Sequence, residues 1–338
     1  MRQQVIVKKL SVALLALFVL STAFAAASCR SSYSGTAESI VVSYAPFQTL
    51  ALLWTADERG LFKENGIATT VREYDTGAAS LDAVLNGGAD IAVGPAEFPL
   101  VGRAFKKERI RAIAGIDKIE HIAVVARKDR GIEQASSLKG KKVGTTLGTV
   151  SEFYLGRLLE LNGLSRQAVT VVDLKTPPEW ENAVVDGEID AVVTAQPWAN
   201  SARDRLGANA VFWSAQSSQP MHALIIATNE WIAEHPELVN RFLKSLAQAE
   251  EYVNRNPTAA KAIVQKRLNL DASDMETIWA QNQYGLSLDQ SLITAMEDEA
   301  RWMISNNLTN EKTVPDFLDY IHVDGLMAVR PEAVSIIR

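Results

Sequence analysis

Read for the spacing of apolar and polar positions, the chain divides into short strand-like runs separated by helix-like stretches. Residues 40–45 (IVVSYA) alternate loosely and end at Pro46-Phe47-Gln48, which predicts a strand followed by a turn. From Thr49 to Asn65 the chain carries Leu50, Leu53, Trp54, Leu61 and Phe62 at mostly helical spacing, so Trp54 reads as core rather than ligand wall. Gly66-Ile67 leads into a second strand at 69–73. The loop 75–80 then opens a helix that Thr76 or Ser80 is suited to cap. Strand, helix, strand, helix, strand predicts a mostly parallel sheet.

One stretch occurs twice. Residues 80–98 read SLDAVLNGGADIAVGPAEF and residues 180–198 read WENAVVDGEIDAVVTAQPW, so that Ala83, Val84, Gly87 and Asp90 are answered by Ala183, Val184, Gly187 and Asp190. Each copy predicts a short helix ending at a glycine, the residue that accepts the left-handed conformation a helix C-terminus needs. An apolar strand follows, 91–93 or 191–193, and then a turn at Pro95 or Pro197. Helix, glycine, aspartate, strand is also a common α/β phrase that chance can repeat. As a true repeat it predicts two α/β lobes whose strand-end loops, the usual place for ligands in open sheets, face each other.

The later pattern divides the molecule further. Residues 121–127 and 222–228 (HALIIAT) are continuous apolar strands, and 169–174 and 211–213 are shorter ones around a helix at about 151–162. After Asn229 the pattern is almost entirely helical, with breaks at Asn256-Pro257 and near Asn306. That mass of helix exceeds what the second lobe needs, so the chain is expected to return to the first. The expected organisation is lobe one at 39–124 and 226–338 and lobe two at 125–225, with the strands at 122–127 and 222–228 crossing between them as a two-strand hinge.

The N-terminus changes the expected address of the molecule. Arg2, Lys8 and Lys9 precede an apolar run from Leu10 to Leu20, and small residues lead to Cys29, the basic, apolar and small order of a signal peptide over residues 1–28. Ala26-Ala27-Ser28-Cys29 resembles a bacterial lipobox, with alanine where leucine is usual, which implies lipidation of Cys29 and a membrane tether over residues 29–38. Cleavage near Ala27 with a free thiol and an uncleaved anchor are the competing readings. A lone reactive thiol in an exported chain argues against the first, and the short apolar run against the second. Cys29 is the only cysteine, which excludes an internal disulfide and any multi-cysteine metal site. Loss of three cationic residues with the leader takes the formal charge from −6 to −9. So acidic a chain is poorly suited to nucleic acid, and no nucleic-acid partner is expected.

The run KGKKVGTTLGTVSEFYLGRLLELNGL, followed by VVDLKTPPEWENAVVDGEIDAVVTAQPW, resembles the solute-binding proteins of ABC importers in the nitrate, sulfonate, taurine and thiamine-precursor group. The resemblance covers residues 40–330. It implies a two-lobed type II periplasmic binding fold, each lobe a mixed, mostly parallel sheet flanked by helices. It also implies a monomer that closes on a small molecule and docks on an ABC permease, needing no cofactor or metal.

Matched position by position, the resemblance implies ligand contact from Phe47 and Gln48 after the first strand and from Gly77, Ala78 and Ala79 at the first repeat's helix start. It adds Pro95, Ala96 and Glu97 after the next strand, then Thr149, Val150 and Ser151 at a lobe-two helix start. Gln196, Pro197 and Trp198 follow on the second repeat's loop, and His222 at the return crossing. Unpaired helix-start amides at 77–79 and 149–151 would hold an oxyanion from both lobes without an arginine. Thr149-Val150-Ser151-Glu152 also fits a capping box, and the two roles are compatible for Thr149. Trp198, after a proline on a crevice loop, is expected to touch ligand. Glu97 facing inward would favour a zwitterion or nitrogen heterocycle over a plain anion; facing elsewhere, it would bind backbone amides or solvent.

An enzyme on the same fold is the rival reading. The histidines are His121, His222, His235 and His322, with no H-E-x-x-H, no His–Cys cluster and no phosphate-binding G-x-x-x-x-G-K-[ST] loop. His121 reads as a satisfied strand-end residue. The sequence therefore favours a non-enzymatic solute receptor.

Overall fold

The computed structural model describes residues 33–337. The leader, Cys29 and the beginning of the tether lie outside the described residues, and residues 33–35 carry no regular secondary structure. Four strands come first: β1 (Glu38–Tyr44), β2 (Ile67–Glu73), β3 (Ile91–Ala96) and β4 (Ile110–Ile119). A second group follows, β5 (Ile122–Arg127), β6 (Lys142–Thr145), β7 (Thr170–Asp173), β8 (Ala191–Ala195) and β9 (Ala210–Ser214). The chain then returns through β10 (Met221–Thr228), β11 (Asn282–Asp289) and β12 (Val334–Ser335).

These strands form two sheets, ordered β12-β11-β4-β10-β3-β1-β2 and β7-β6-β8-β5-β9. In lobe one β2, β1 and β3 are parallel and β10 joins β3 antiparallel. In lobe two β7, β6 and β8 repeat that arrangement and β5 plays the part of β10. The duplicated sequence accounts for the likeness. Gly87 and Gly187 both take positive φ, +70° and +80°, and end their helices. The aspartate three residues on does the same work twice. Asp90 Oδ2 accepts the Val41 N–H at 2.7 Å, and Asp190 Oδ2 accepts the Lys142 N–H at 2.8 Å. The Asp90 and Asp190 amides in turn donate to the carbonyls of Val41 and Lys142. Each aspartate thus clips the entrance of one strand to its neighbour and sets the register of the sheet.

Strands β5 and β10 do not cross between lobes, as the apolar runs suggested. Each is hydrogen-bonded on both sides within one sheet, β5 to β8 and β9, β10 to β3 and β4. A strand paired on both edges is poorly placed to absorb a hinge motion, so the change of sheet falls on the connections between strands, Glu120-His121 and residues 215–220. These lie a few residues before the expected limits at 124/125 and 225/226. The C-terminal part also contains strand the helical reading overlooked. β11 (NQYGLSLD) alternates Tyr284, Leu286 and Leu288 and pairs with β4. Around it the helix Pro236–Arg255 buries Leu238, Phe242, Leu243, Leu246, Ala249 and Val253, and Phe242 stacks on Phe62 at 5.2 Å. The return of the chain therefore completes lobe one.

Candidate functional site

Between the two sheets lies a cavity with about 600 Å³ of unfilled space, part of it open to solvent. Lobe one lines it with Phe47, Thr49, Thr76, Gly77, Ala78, Gly94, Ala96, Pro99 and Met221. Lobe two and its connection contribute His121, Ile122, Thr146, Thr149, Val150, Ser151, Trp180, Thr194 and Ala195. No lysine, arginine, aspartate or glutamate is among these lining residues.

The polar character comes from two helix starts. In the helix Gly77–Leu85 the Thr76 hydroxyl accepts the Ala79 N–H at 3.1 Å, which commits that amide to the protein. The Gly77 and Ala78 amides, the first two of the helix, have no intrahelical acceptor and border the cavity. Ala79 is accordingly absent from the lining. Gly77 has no room for a side chain, since a Cβ there would lie 2.9 Å from Pro95 Cα, and Pro95 stands behind the glycine. The helix Val150–Leu161 presents its start from the other lobe. Its N-cap Thr149 makes no side-chain cap; the Thr149 hydroxyl donates to the Thr146 carbonyl at 2.8 Å. Glu152 accepts the Gly148 N–H at 2.8 Å and pairs with Arg166 at 2.8 Å. The capping box is therefore displaced by one residue, and the Val150 and Ser151 amides, the first two of the helix, have no intrahelical acceptor and border the cavity.

Two positively polarised helix ends aimed at one neutral space favour a negative guest. Hydroxyls extend the donor set, and buried Thr49 Oγ1 has no protein partner. His121 is the one ionisable side chain in the lining. Burial pulls it down to about 3, so it is neutral at physiological pH. Gln48 does not touch the cavity; its Nε2 lies 2.7 Å from His121 Nδ1, and the arrangement in which the amide donates puts the imidazole proton on Nε2. The sequence reads His121 as a satisfied strand-end residue, and the hinge connection brings it to the wall.

The aromatic wall also differs from the expectation. Trp180 lines the cavity, whereas Trp198 lies behind it, edge-on at 5.3 Å. Trp198 meets Phe47 of lobe one at 5.2 Å, so the rings form a ladder from one lobe to the other. The repeat register aligns Trp180 with Ser80, close to the first lobe's helix start, and that was the available signal. Gln196 and Pro197 also stand back. The Gln196 side chain bonds Asn200 twice, at 2.9 and 3.1 Å, which fixes the first turn of the helix Trp198–Leu206. Glu97 and His222 face away into lobe one, where the Glu97 carboxylate accepts the His222 N–H at 3.0 Å. Of the expected contacts, Phe47, Gly77, Ala78, Ala96, Thr149, Val150 and Ser151 meet in the cavity. Gln48, Ala79, Pro95, Glu97, Gln196, Pro197, Trp198 and His222 support it or lie elsewhere.

Residues 48–260, more than half of the chain, match the family described as NMT1/THI5 like. The protein belongs to the NMT1/THI5-like family. The taurine-binding periplasmic protein of Escherichia coli is 25% identical to this NMT1/THI5-like chain over 67% of it and 70% of the relative. The 4-amino-5-hydroxymethyl-2-methylpyrimidine phosphate synthase of Aspergillus parasiticus is 26% identical over 62% and 64%. Among solved structures, the alkanesulfonate-binding protein SsuA of Xanthomonas axonopodis pv. citri, bound to MOPS, superposes with a TM-score of 0.73. It shares 17% identity and covers 83% of this chain and 98% of its own. The fold is thus the two-lobed periplasmic binding protein fold that the sequence resemblance implied. By their names, the Escherichia coli and Aspergillus parasiticus relatives are a binding protein and a synthase.

Proposed function

We propose that this protein is the extracytoplasmic solute-binding component of an ABC importer, tethered by lipid on Cys29, and that it captures a small nitrate-, sulfonate- or taurine-type solute between its lobes for delivery to a permease. The observation that carries this reading is the pair of helix starts, Gly77-Ala78 and Val150-Ser151, opening from opposite lobes onto one cavity whose lining has no charged side chain. A guest bridging both sets of amides shifts the population toward the closed clamp. Permanently ionised groups suit this arrangement, because backbone donors complement a charge that needs no proton. The likeness to a taurine-binding relative supports the same class. Among the described residues no cluster of three or more histidine, cysteine or acidic side chains is placed to hold a metal ion.

A nitrogen heterocycle is the second reading. Phe47 and Trp180 offer ring faces, and a relative acts in pyrimidine synthesis by its name. Calorimetry with taurine, methanesulfonate, nitrate and 4-amino-5-hydroxymethyl-2-methylpyrimidine separates the two. Binding of a sulfonate without turnover by mass spectrometry supports the proposal. Exclusive binding of the pyrimidine, or conversion of any of the four, overturns it.

A further inference from the structure

Inside lobe one, behind the cavity wall, is a cluster of ionisable groups that ligand capture leaves unused. Glu97, at the start of the helix Glu97–Phe105, and Glu299, on the helix Gln290–Ser305, are both 0% exposed. Neither oxygen of Glu299 has a hydrogen-bond partner, nor has Glu97 Oε1. Glu97 Oε2 accepts the His222 amide, and Oε1 lies 3.5 Å from His222 Nδ1, itself unpartnered. A fully buried carboxylate that no donor meets keeps its charge only at high cost, which is the position of Glu299. Burial, then the charge of Glu97 and that of Asp298, hold the Glu299 carboxyl well above the usual carboxylate range.

The compartment has a route to water and a face toward the other lobe. His222 Nε2 lies 3.1 Å from Ser291 Oγ, which donates to Asp289 Oδ1 at 2.5 Å. Lys118 donates to Asp289 at 2.5 Å and to Ser291 at 3.3 Å, and both charged side chains are partly exposed. From lobe two, Tyr154 on the helix Val150–Leu161 faces the pair and donates to the Gln219 carbonyl at 3.1 Å. Burial, then the charges of Glu97 and Glu299, hold its phenol well above the ordinary value, with a smaller push from Glu120. Its neighbour Phe153 packs on Phe98 and Trp302, at 6.0 and 5.5 Å, the ring next to Glu97 and the ring one turn past Glu299. The helix whose first residues line the ligand cavity therefore also packs, through Phe153, on the rings that neighbour the two glutamates.

We propose that Glu97 and Glu299 form a one-proton site at the lobe boundary, filled from solvent through His222 and Ser291, whose occupancy keeps the helix Val150–Leu161 seated on lobe one. The proton comes from bulk water and returns to it. With the proton gone, Glu299 adds a second buried like charge within the influence of Glu97, and the repulsion is relieved when the helix lifts and water enters. Opening then accompanies proton release and closing accompanies uptake, whatever solute the cavity takes. The claim rests on the two-lobed architecture and not on the identity of the ligand.

The test uses the mature chain without added ligand, followed by infrared spectroscopy and solution scattering as the pH is raised from just above the ordinary carboxylate range into the alkaline. The wild type should show the carbonyl stretch of a buried, protonated carboxylic acid at the start of the titration, and should lose it and expand together as the pH rises. Glu299→Gln, which mimics the protonated form, should lack that band and stay compact throughout. If it fails to fold, Glu97→Gln removes the like charge and should expand less than the wild type. Ser291→Ala should keep the end states but slow the response to a pH jump. A wild type without the band, a Gln variant that expands with the wild-type profile, or an unchanged response in Ser291→Ala overturns the proposal.

Discussion

Gly156 of lobe two lies against the indole of Trp302 in lobe one so closely that a Cβ at 156 would stand 2.1 Å from Trp302 Cζ2. Inside an exposed helix, glycine to alanine would add about 0.5–1 kcal/mol of stability. Here the methyl enters a filled space, where overpacking costs about 1–3 kcal/mol. Because the obstacle belongs to the other lobe, that cost can be relieved by separating the lobes rather than unfolding either one. Gly156→Ala should therefore increase the radius of gyration in solution scattering. A variant as compact as the wild type and more stable by the helix increment would show that Trp302 yields.

The donor role of the lobe-two helix can be tested with a single atom's worth of chemistry. Val150 is the first residue of its helix, a position where proline is tolerated because the N–H has no helical acceptor. Thr149 before it is extended, φ −116° and ψ 167°, as a residue preceding proline must be. Val150→Pro thus deletes one amide from the cavity and spares the helix. A hydrogen bond to a charged group contributes about 1.5–3 kcal/mol. Affinity for taurine or methanesulfonate should fall about tenfold to a hundredfold with the melting temperature unchanged. Equal affinity would remove the amide from the site.

Trp180 and Trp198 should separate in the same assay. Trp180 forms the wall, so Trp180→Ala should weaken capture by about tenfold, or about 1.4 kcal/mol. Trp198 touches Trp180 and Phe47 but not the cavity, so Trp198→Ala should cost less affinity and loosen closure instead. Calorimetry beside scattering of the ligand-saturated protein distinguishes the effects. A larger affinity loss at 198 than at 180 would restore the direct contact expected from the sequence.

These assignments show which parts of the molecule were legible before the structure. The repeat was readable because Gly87 and Gly187 satisfy a backbone requirement, and Asp90 and Asp190 a hydrogen-bonding one, that few residues meet. The helix starts were readable for the same reason. Side-chain direction was not. Whether Glu97 faces ligand or core depends on the N–H of His222, 125 residues away, and no local pattern encodes that meeting. His121 and Trp180 were missed because hinge placement and ring order arise from the packing of two lobes. β11 was missed because one apolar alternation of eight residues stands among long helices.

Asp117 on β4 offers a measurement on folding itself. It is 2% exposed; Oδ1 accepts the Gln283 N–H at 2.9 Å and Oδ2 has no partner. Burial holds its carboxyl well above the ordinary range, although the Gln283 and Lys118 amides pull the other way. A folded-state value above the unfolded one means that the native protein binds more protons in the interval between them. Stability is then fully present below the usual carboxylate range and is lost as the pH rises through the raised value, by about 1.4 kcal/mol per unit of difference. Asn at 117 keeps the acceptor for Gln283 and cannot ionise. Asp117→Asn should match the wild type in acid, exceed it at neutral pH, and give a flatter plot of unfolding free energy against pH. Glu299 still titrates in this variant, so some slope should persist. A variant that parallels the wild type across the whole interval would mean that Asp117 is ionised in the folded protein at ordinary pH, with its charge met by the Gln283 and Lys118 amides.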